Sequence, residues 1–194
     1  MSARRRPWPW AAALAAACLA APALGLPLEA GDPVPTFEAA DSDGRQHRLA
    51  DLRGKVVVLV VWSSRCPQSR GYGPRLERLR EGLDPKEVAF LGLAPSQGET
   101  AEAVNAARRE AKMKLPVIVD SGGTISKSLS AVTTPTVYVV DREGVLRYHG
   151  AIDDDPRGRS ESPTSYLEEA VRALLAGRDP PRTKVPSRGF KIRY

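Results

Sequence analysis

Lys55–Trp62 places six consecutive aliphatic residues and a tryptophan after one lysine. A run of that kind is the pattern of a strand buried on both faces. Val88–Leu93 reads as a second such strand, and Leu115–Val119 as a short β-branched third. Between them the period changes. Pro67–Glu81 spaces Leu76, Leu79 and Leu83 as a helix does, with Gly71, Gly73 and Pro74 predicting an irregular first half. Thr100–Lys112 reads as a helix capped by Thr100, with Ala101, Val104 and Ala107 on one face. Two hairpins are expected. One joins Thr36–Ala40 to Gln46–Leu49 through Asp41-Ser42-Asp43-Gly44, and the other joins Thr136–Val140 to Val145–His149 through Asp141-Arg142-Glu143-Gly144. A last helix, Ser165–Ala176, turns Leu167, Val171, Leu174 and Leu175 inward and stops at Gly177. The order strand, helix, strand, helix, strand, hairpin, helix implies an α/β fold with a mixed central sheet covered on both faces.

The N-terminal pattern is of another kind. Arg4, Arg5 and Arg6 precede an uncharged, Ala-rich stretch from Trp10 to Ala21, and Ala23-Leu24-Gly25 supplies small residues for cleavage. This is the order of a secretory signal, residues 1–25. Pro22 and Pro27 interrupt the stretch before it reaches the length of a membrane span, so any membrane attachment would come only through an uncleaved leader. Cys18 lies within it, but Ala15-Ala16-Ala17 is a poor lipidation signal. The remainder divides into one domain, 26–177, and a basic, Pro-rich tail, 178–194, whose composition reads as solvated.

The net charge of +6 includes the three leader arginines, and the +3 left without them does not argue for nucleic acid. Heavy use of Ala, Arg, Gly and Pro points to a GC-rich bacterial genome and a periplasmic destination. Cleavage also removes Cys18, leaving Cys66 as one cysteine with no partner for an internal disulfide.

Cys66 stands between the end of the first buried strand and the helix that follows, in Trp62-Ser63-Ser64-Arg65-Cys66-Pro67-Gln68-Ser69. Pro67 fits the first helical position, which makes Cys66 the N-cap. There the sulfur faces free backbone N–H groups and the positive end of the helix dipole, both of which favour thiolate. Arg65 and Arg70 add positive charge if their side chains turn toward it. The competing reading is a buried cysteine acting as a small hydrophobe.

This segment resembles the active-site stretch of thioredoxin-like proteins, where Cys-Pro-x-Cys opens the first helix. Thr36–Leu52 with Gly54-Lys55 resembles the opening hairpin of the redoxin branch of the alkyl hydroperoxide reductase and thiol-specific antioxidant superfamily. Thr134-Pro135 before Thr136–Asp141 resembles the cis-proline turn of that fold, and Tyr72, Arg75-Leu76 and Gly150–Asp154 look like the same branch. The resemblance implies a thioredoxin-like fold with an N-terminal β-hairpin. It also implies a redox-active Cys66 with Pro67 and Ser69 beside it, and substrate contacts at Thr134, Pro135 and Trp62.

Two departures limit the chemistry. Ser69 replaces the second cysteine of Cys-x-x-Cys; its hydroxyl can hydrogen-bond the Cys66 sulfur but cannot close a disulfide. Some members also end in a Gly-Cys-x-Ile-Lys-like segment, where this chain has Gly189-Phe190-Lys191-Ile192-Arg193. A mixed disulfide or a sulfenic acid on Cys66 therefore needs an external thiol. A peroxiredoxin-like site is half matched, with Ser63 at the hydroxyl position and Leu59 where proline belongs.

His47 and His149 read as surface or capping residues, and Asp153-Asp154-Asp155 as a solvated turn rather than a calcium loop. No metal and no cofactor is expected. Two readings result. One is an exported monothiol oxidoreductase acting on protein or small-molecule thiols and disulfides, or on peroxides. The other is a redox-inactive binding or chaperone module that uses the groove beside Pro135.

Overall fold

The structure, a computed structural model, describes residues 27–194; the leader expected at 1–25, with Cys18, lies outside them. In chain order the elements are β1 (Glu38–Ala40), β2 (Gln46–Arg48), β3 (Val56–Val61), α1 (Pro67–Glu81), β4 (Val88–Ala94), α2 (Ala101–Glu110) and β5 (Val117–Val119). They continue with α3 (Thr124–Ser128), β6 (Thr133–Thr134), β7 (Thr136–Val140), β8 (Leu146–Gly150), α4 (Tyr166–Leu175), β9 (Lys184–Val185) and β10 (Phe190–Lys191).

Six strands form one mixed sheet in the order β5-β4-β3-β7-β8-β9. β3 runs parallel to β4 and antiparallel to β7, and β1 with β2 makes the expected N-terminal hairpin. The fold is thioredoxin-like. β3 lies at the centre because each of its residues is buried, and its alternation divides the core. Val56, Val58 and Val60 join Tyr72, Leu76, Val104, Leu167 and Val171 on the α1, α2 and α4 face. Val57, Leu59 and Val61 join Leu49, Ile125, Leu129 and Ile192 on the other.

Local chemistry sets the helix ends. Cys66, Thr100 and Ser165 each accept a backbone N–H as N-cap, and Gly177 takes the left-handed conformation (φ 68°) that ends α4. α1 is continuous through Pro74, not irregular as its glycines and proline predict. Gly73 has a packing role instead, since a Cβ there would lie 2.7 Å from both the Cβ and the carbonyl oxygen of Ala111. Burial of Tyr72 and Leu76 on the same face holds the helix in register.

The tail is not solvated along its length. β9 pairs in parallel with β8 at the sheet edge, and β10 pairs antiparallel with β6, setting Phe190 against Thr134 and Lys191 against Thr133. Ile192 is buried in the second core, and Tyr194 packs against it. No helix among the described residues is long and apolar enough to cross a membrane.

Candidate functional site

Three backbone segments meet at the sulfur of Cys66: the β3–α1 loop, the first turn of α1, and β6 with Pro135. The loop is fixed by a residue distant in sequence. Glu99, buried in the β4–α2 loop just before the N-cap of α2, accepts the Ser63 hydroxyl (2.8 Å), the Ser64 N–H (2.9 Å) and the Ser64 hydroxyl (2.5 Å). The Ser63 carbonyl in turn accepts the Cys66 N–H (3.2 Å). Nothing in Gln97–Thr100 marks Glu99 from sequence, because its partners lie 35 and 36 positions upstream.

Cys66 is the N-cap of α1, and its sulfur accepts the Ser69 backbone N–H at 3.3 Å. On its other side the thiol donates to the Thr134 carbonyl at 3.6 Å. Only 5% of the residue is exposed. The Ser69 contribution differs from the expectation: the backbone N–H meets the sulfur, while the fully buried hydroxyl has no hydrogen-bond partner among the described residues. Pro67 occupies the first helical position, where its missing N–H costs nothing.

Trp62 is fully buried, and its indole N–H donates to the Ser69 carbonyl at 2.9 Å. It supports the helix start from beneath and presents no surface to a substrate in this state. Arg65 donates to the Gly98 carbonyl, and Arg70 pairs with Glu110, so both cations are directed to neighbouring elements. The Thr134–Pro135 bond is cis.

Asp153 corrects the solvated-turn expectation. It is buried, accepts the Tyr72 hydroxyl at 2.6 Å and pairs with Arg75. Burial raises its carboxyl above the ordinary aspartate value, with the Tyr72 hydrogen bond opposing. Burial also pushes the Tyr72 phenol upward, and its bond to Asp153 adds to the effect. Beside this pair, Tyr72, Pro135, Ile152, Asp153, Tyr166 and Arg188 line a cavity of about 200 Å³. Both histidines are half-buried and paired with a carboxylate. His47 meets Asp41 in the opening hairpin, and His149 stacks on Tyr138 and meets Glu29.

The tail reaches the same place. The Gln68 side chain donates to the Arg188 carbonyl (2.5 Å), the Gln97 N–H to the Arg193 carbonyl (2.6 Å), and the Ile192 N–H to the Val132 carbonyl (2.9 Å). Gly189 rests against the Thr134 carbonyl that also meets the sulfur, and any Cβ there would collide with it.

Residues 30–149 match the model of the AhpC/TSA family. A Bacillus thuringiensis protein named thiol-disulfide oxidoreductase ResA is 30% identical over 117 residues, which cover 60% of this chain and 66% of that protein. A Pseudomonas aeruginosa thiol:disulfide interchange protein, DsbE, is 30% identical over 127 residues, covering 63% of this chain and 68% of its own. A crystal structure of a hypothetical protein from Sinorhizobium meliloti superposes with a TM-score of 0.78 at 27% identity, over 86% of this chain and 95% of that one.

Proposed function

The chain belongs to the AhpC/TSA family, and from that footing we propose that it is an extracytoplasmic monothiol oxidoreductase whose nucleophile is Cys66. The observation that carries this reading is the seat of the sulfur. It sits at the N-terminus of α1 with the Ser69 N–H directed at it and the Thr134 backbone opposite. An N-terminal N–H and the helix dipole stabilise negative charge, which attack by sulfur requires. The names of the two sequence relatives support thiol–disulfide chemistry, and the leader pattern supports export.

In the reaction, the Cys66 thiolate attacks one sulfur of a substrate disulfide. A bond forms between Cys66 and that sulfur, the substrate S–S bond breaks, and its electron pair leaves on the second substrate thiolate. Ser69 offers no thiol to expel the product, so an external thiolate attacks the bound substrate sulfur and returns Cys66 as thiolate. Pro67 holds the helix start, and Thr134 and Pro135 form the wall on which substrate rests.

The test is exchange between oxidised glutathione and a chromogenic thiol, followed with the intact chain and with Cys66→Ser. We expect acceleration and a mixed disulfide on Cys66 by mass spectrometry, both lost in the variant. Equal rates for the two chains, with no adduct, would remove the reading.

A further inference from the structure

The Thr134 backbone is the edge nearest the sulfur, and β6 shows what that edge accepts: an extended strand, paired antiparallel. Its occupant is the chain's own β10. Gly189 is the residue that permits this, because its missing Cβ lets the tail backbone touch the Thr134 carbonyl. The segment is held from every side of the site. Gln68 anchors it to α1, Gln97 to the β4–α2 loop, Thr134 to β6 and Val132 to the residue just before it, and the Thr136 hydroxyl donates to that of Ser187 at 2.9 Å. Beyond the site, Ile192 is buried and the Tyr194 hydroxyl donates to the Ala131 carbonyl at 2.6 Å.

We propose that residues 186–194 are a self-supplied strand on the substrate edge and determine which disulfides Cys66 accepts. The proposal deepens the oxidoreductase reading and rests on it for its chemistry. An extended polypeptide that brings its sulfur to Cys66 needs the backbone groups of Thr134, and β10 already holds them. Such a substrate reacts only from the fraction of molecules in which the tail has lifted, and its apparent affinity falls by that fraction. A compact disulfide needs only the sulfur and not the edge, so the closed chain favours low-molecular-weight disulfides over polypeptide ones.

Two opened forms test this: Gly189→Val, which keeps Ile192 and Tyr194, and a chain ending at Val185. The substrates are cysteine and an unstructured peptide of about ten residues, each carrying thionitrobenzoate on its one thiol. Both release the same chromophore, so the ratio of their rate constants isolates the polypeptide contribution. Opening should raise the peptide-to-cysteine ratio about tenfold, the effect of a 1.4 kcal/mol change in the closed state. An unchanged ratio in both forms overturns the proposal.

A second measurement avoids chemistry at sulfur. The same peptide with serine for cysteine, followed by fluorescence anisotropy, should bind the opened forms about tenfold more tightly than the intact chain. Equal affinities overturn the strand assignment even where exchange is active. Tighter binding without thionitrobenzoate release by any form leaves the strand standing and removes the oxidoreductase reading.

Discussion

Three hydrogen bonds converge on the Glu99 carboxylate, and all come from the two serines that lead into Cys66. Removing the acceptor leaves buried donors unpaired, which costs about 1–3 kcal/mol per group. Glu99→Ala should therefore lower stability by about 2 kcal/mol or more in urea titration. Glu99→Gln, which keeps one acceptor oxygen and offers an amide to the hydroxyl, should cost less. A loss for Glu99→Ala with none for Glu99→Gln would mean that the side chain merely fills space and that its charge contributes nothing. Cys66, Pro67 and the helix they open were legible from sequence, because a proline at the first helical position states where the N-cap is. Glu99 and Asp153 were not legible. Each takes its role from partners brought near by the fold: Glu99 is a single acidic residue in a loop, and Asp153 stands in a run of three aspartates whose composition describes a solvated turn.

At the scale of the elements, α1 depends on what it touches more than on its own composition. Glu77, in its middle, is buried and accepts the N–H groups of Lys114 and Leu115 while pairing with Arg80. Burial alone would raise its carboxyl. The Arg80 pair and the two backbone donors together outweigh burial and hold it below the ordinary value of 4.5. With a folded value below the unfolded one, the unfolded chain binds the proton more readily. The stabilisation is then complete above about pH 4.5 and is lost as pH falls through the folded value. Glu77→Gln should be destabilised at pH 7 and converge with the parent in acid, as read from denaturation midpoints across pH. A constant difference at all pH values would contradict the assignment. Gly73 offers a test of opposite sign to propensity. Alanine favours an exposed helix by about 1 kcal/mol, yet Gly73→Ala should lower the melting temperature, because Ala111 fills the space its methyl would need. β3, β4, β7, β8 and the three long helices were readable because their apolar patterns are long, while β1 and β2 showed through the Asp-Gly turn between them and β5 through its β-branched residues. α3, β6, β9 and β10 span two to five residues, too few for a period to register. α3 is held by Asp120, whose carboxylate accepts the N–H groups of Ile125 and Ser126.

For the whole molecule, the tail joins the site to the core. A Pro-rich, basic composition describes a solvated segment, and composition cannot reveal that a buried isoleucine near its end enters the core on one face of β3. Ile192→Ala should lower stability by about 2 kcal/mol, toward the low end for such truncations because the site lies at the rim of the core. The same change should speed alkylation of Cys66 by maleimide in the native chain, since it loosens the strand beside Thr134. A loss of stability with no change in alkylation would separate the two.

The sheet has two edges, and each is closed by something small. At β5 the turn of the opening hairpin covers the strand, with Asp41 bridging to Ile118 and the Ser42 N–H donating to the Val117 carbonyl. At the other edge β9 is two residues long and is followed by Pro186, which has no N–H to offer. Among the described residues, neither edge of the six-stranded sheet thus presents an extended template on which another copy could add a strand. Lifting residues 186–194 adds one, since it frees the Thr134 edge. Colloidal behaviour and access to the sulfur should then rise and fall together. The apparent mass of Gly189→Val by light scattering should increase with protein concentration under conditions where that of the parent stays constant, and a constant mass for both would uncouple them. A chain of this design would stay dispersed in a crowded compartment by keeping the edge beside its reactive sulfur paired.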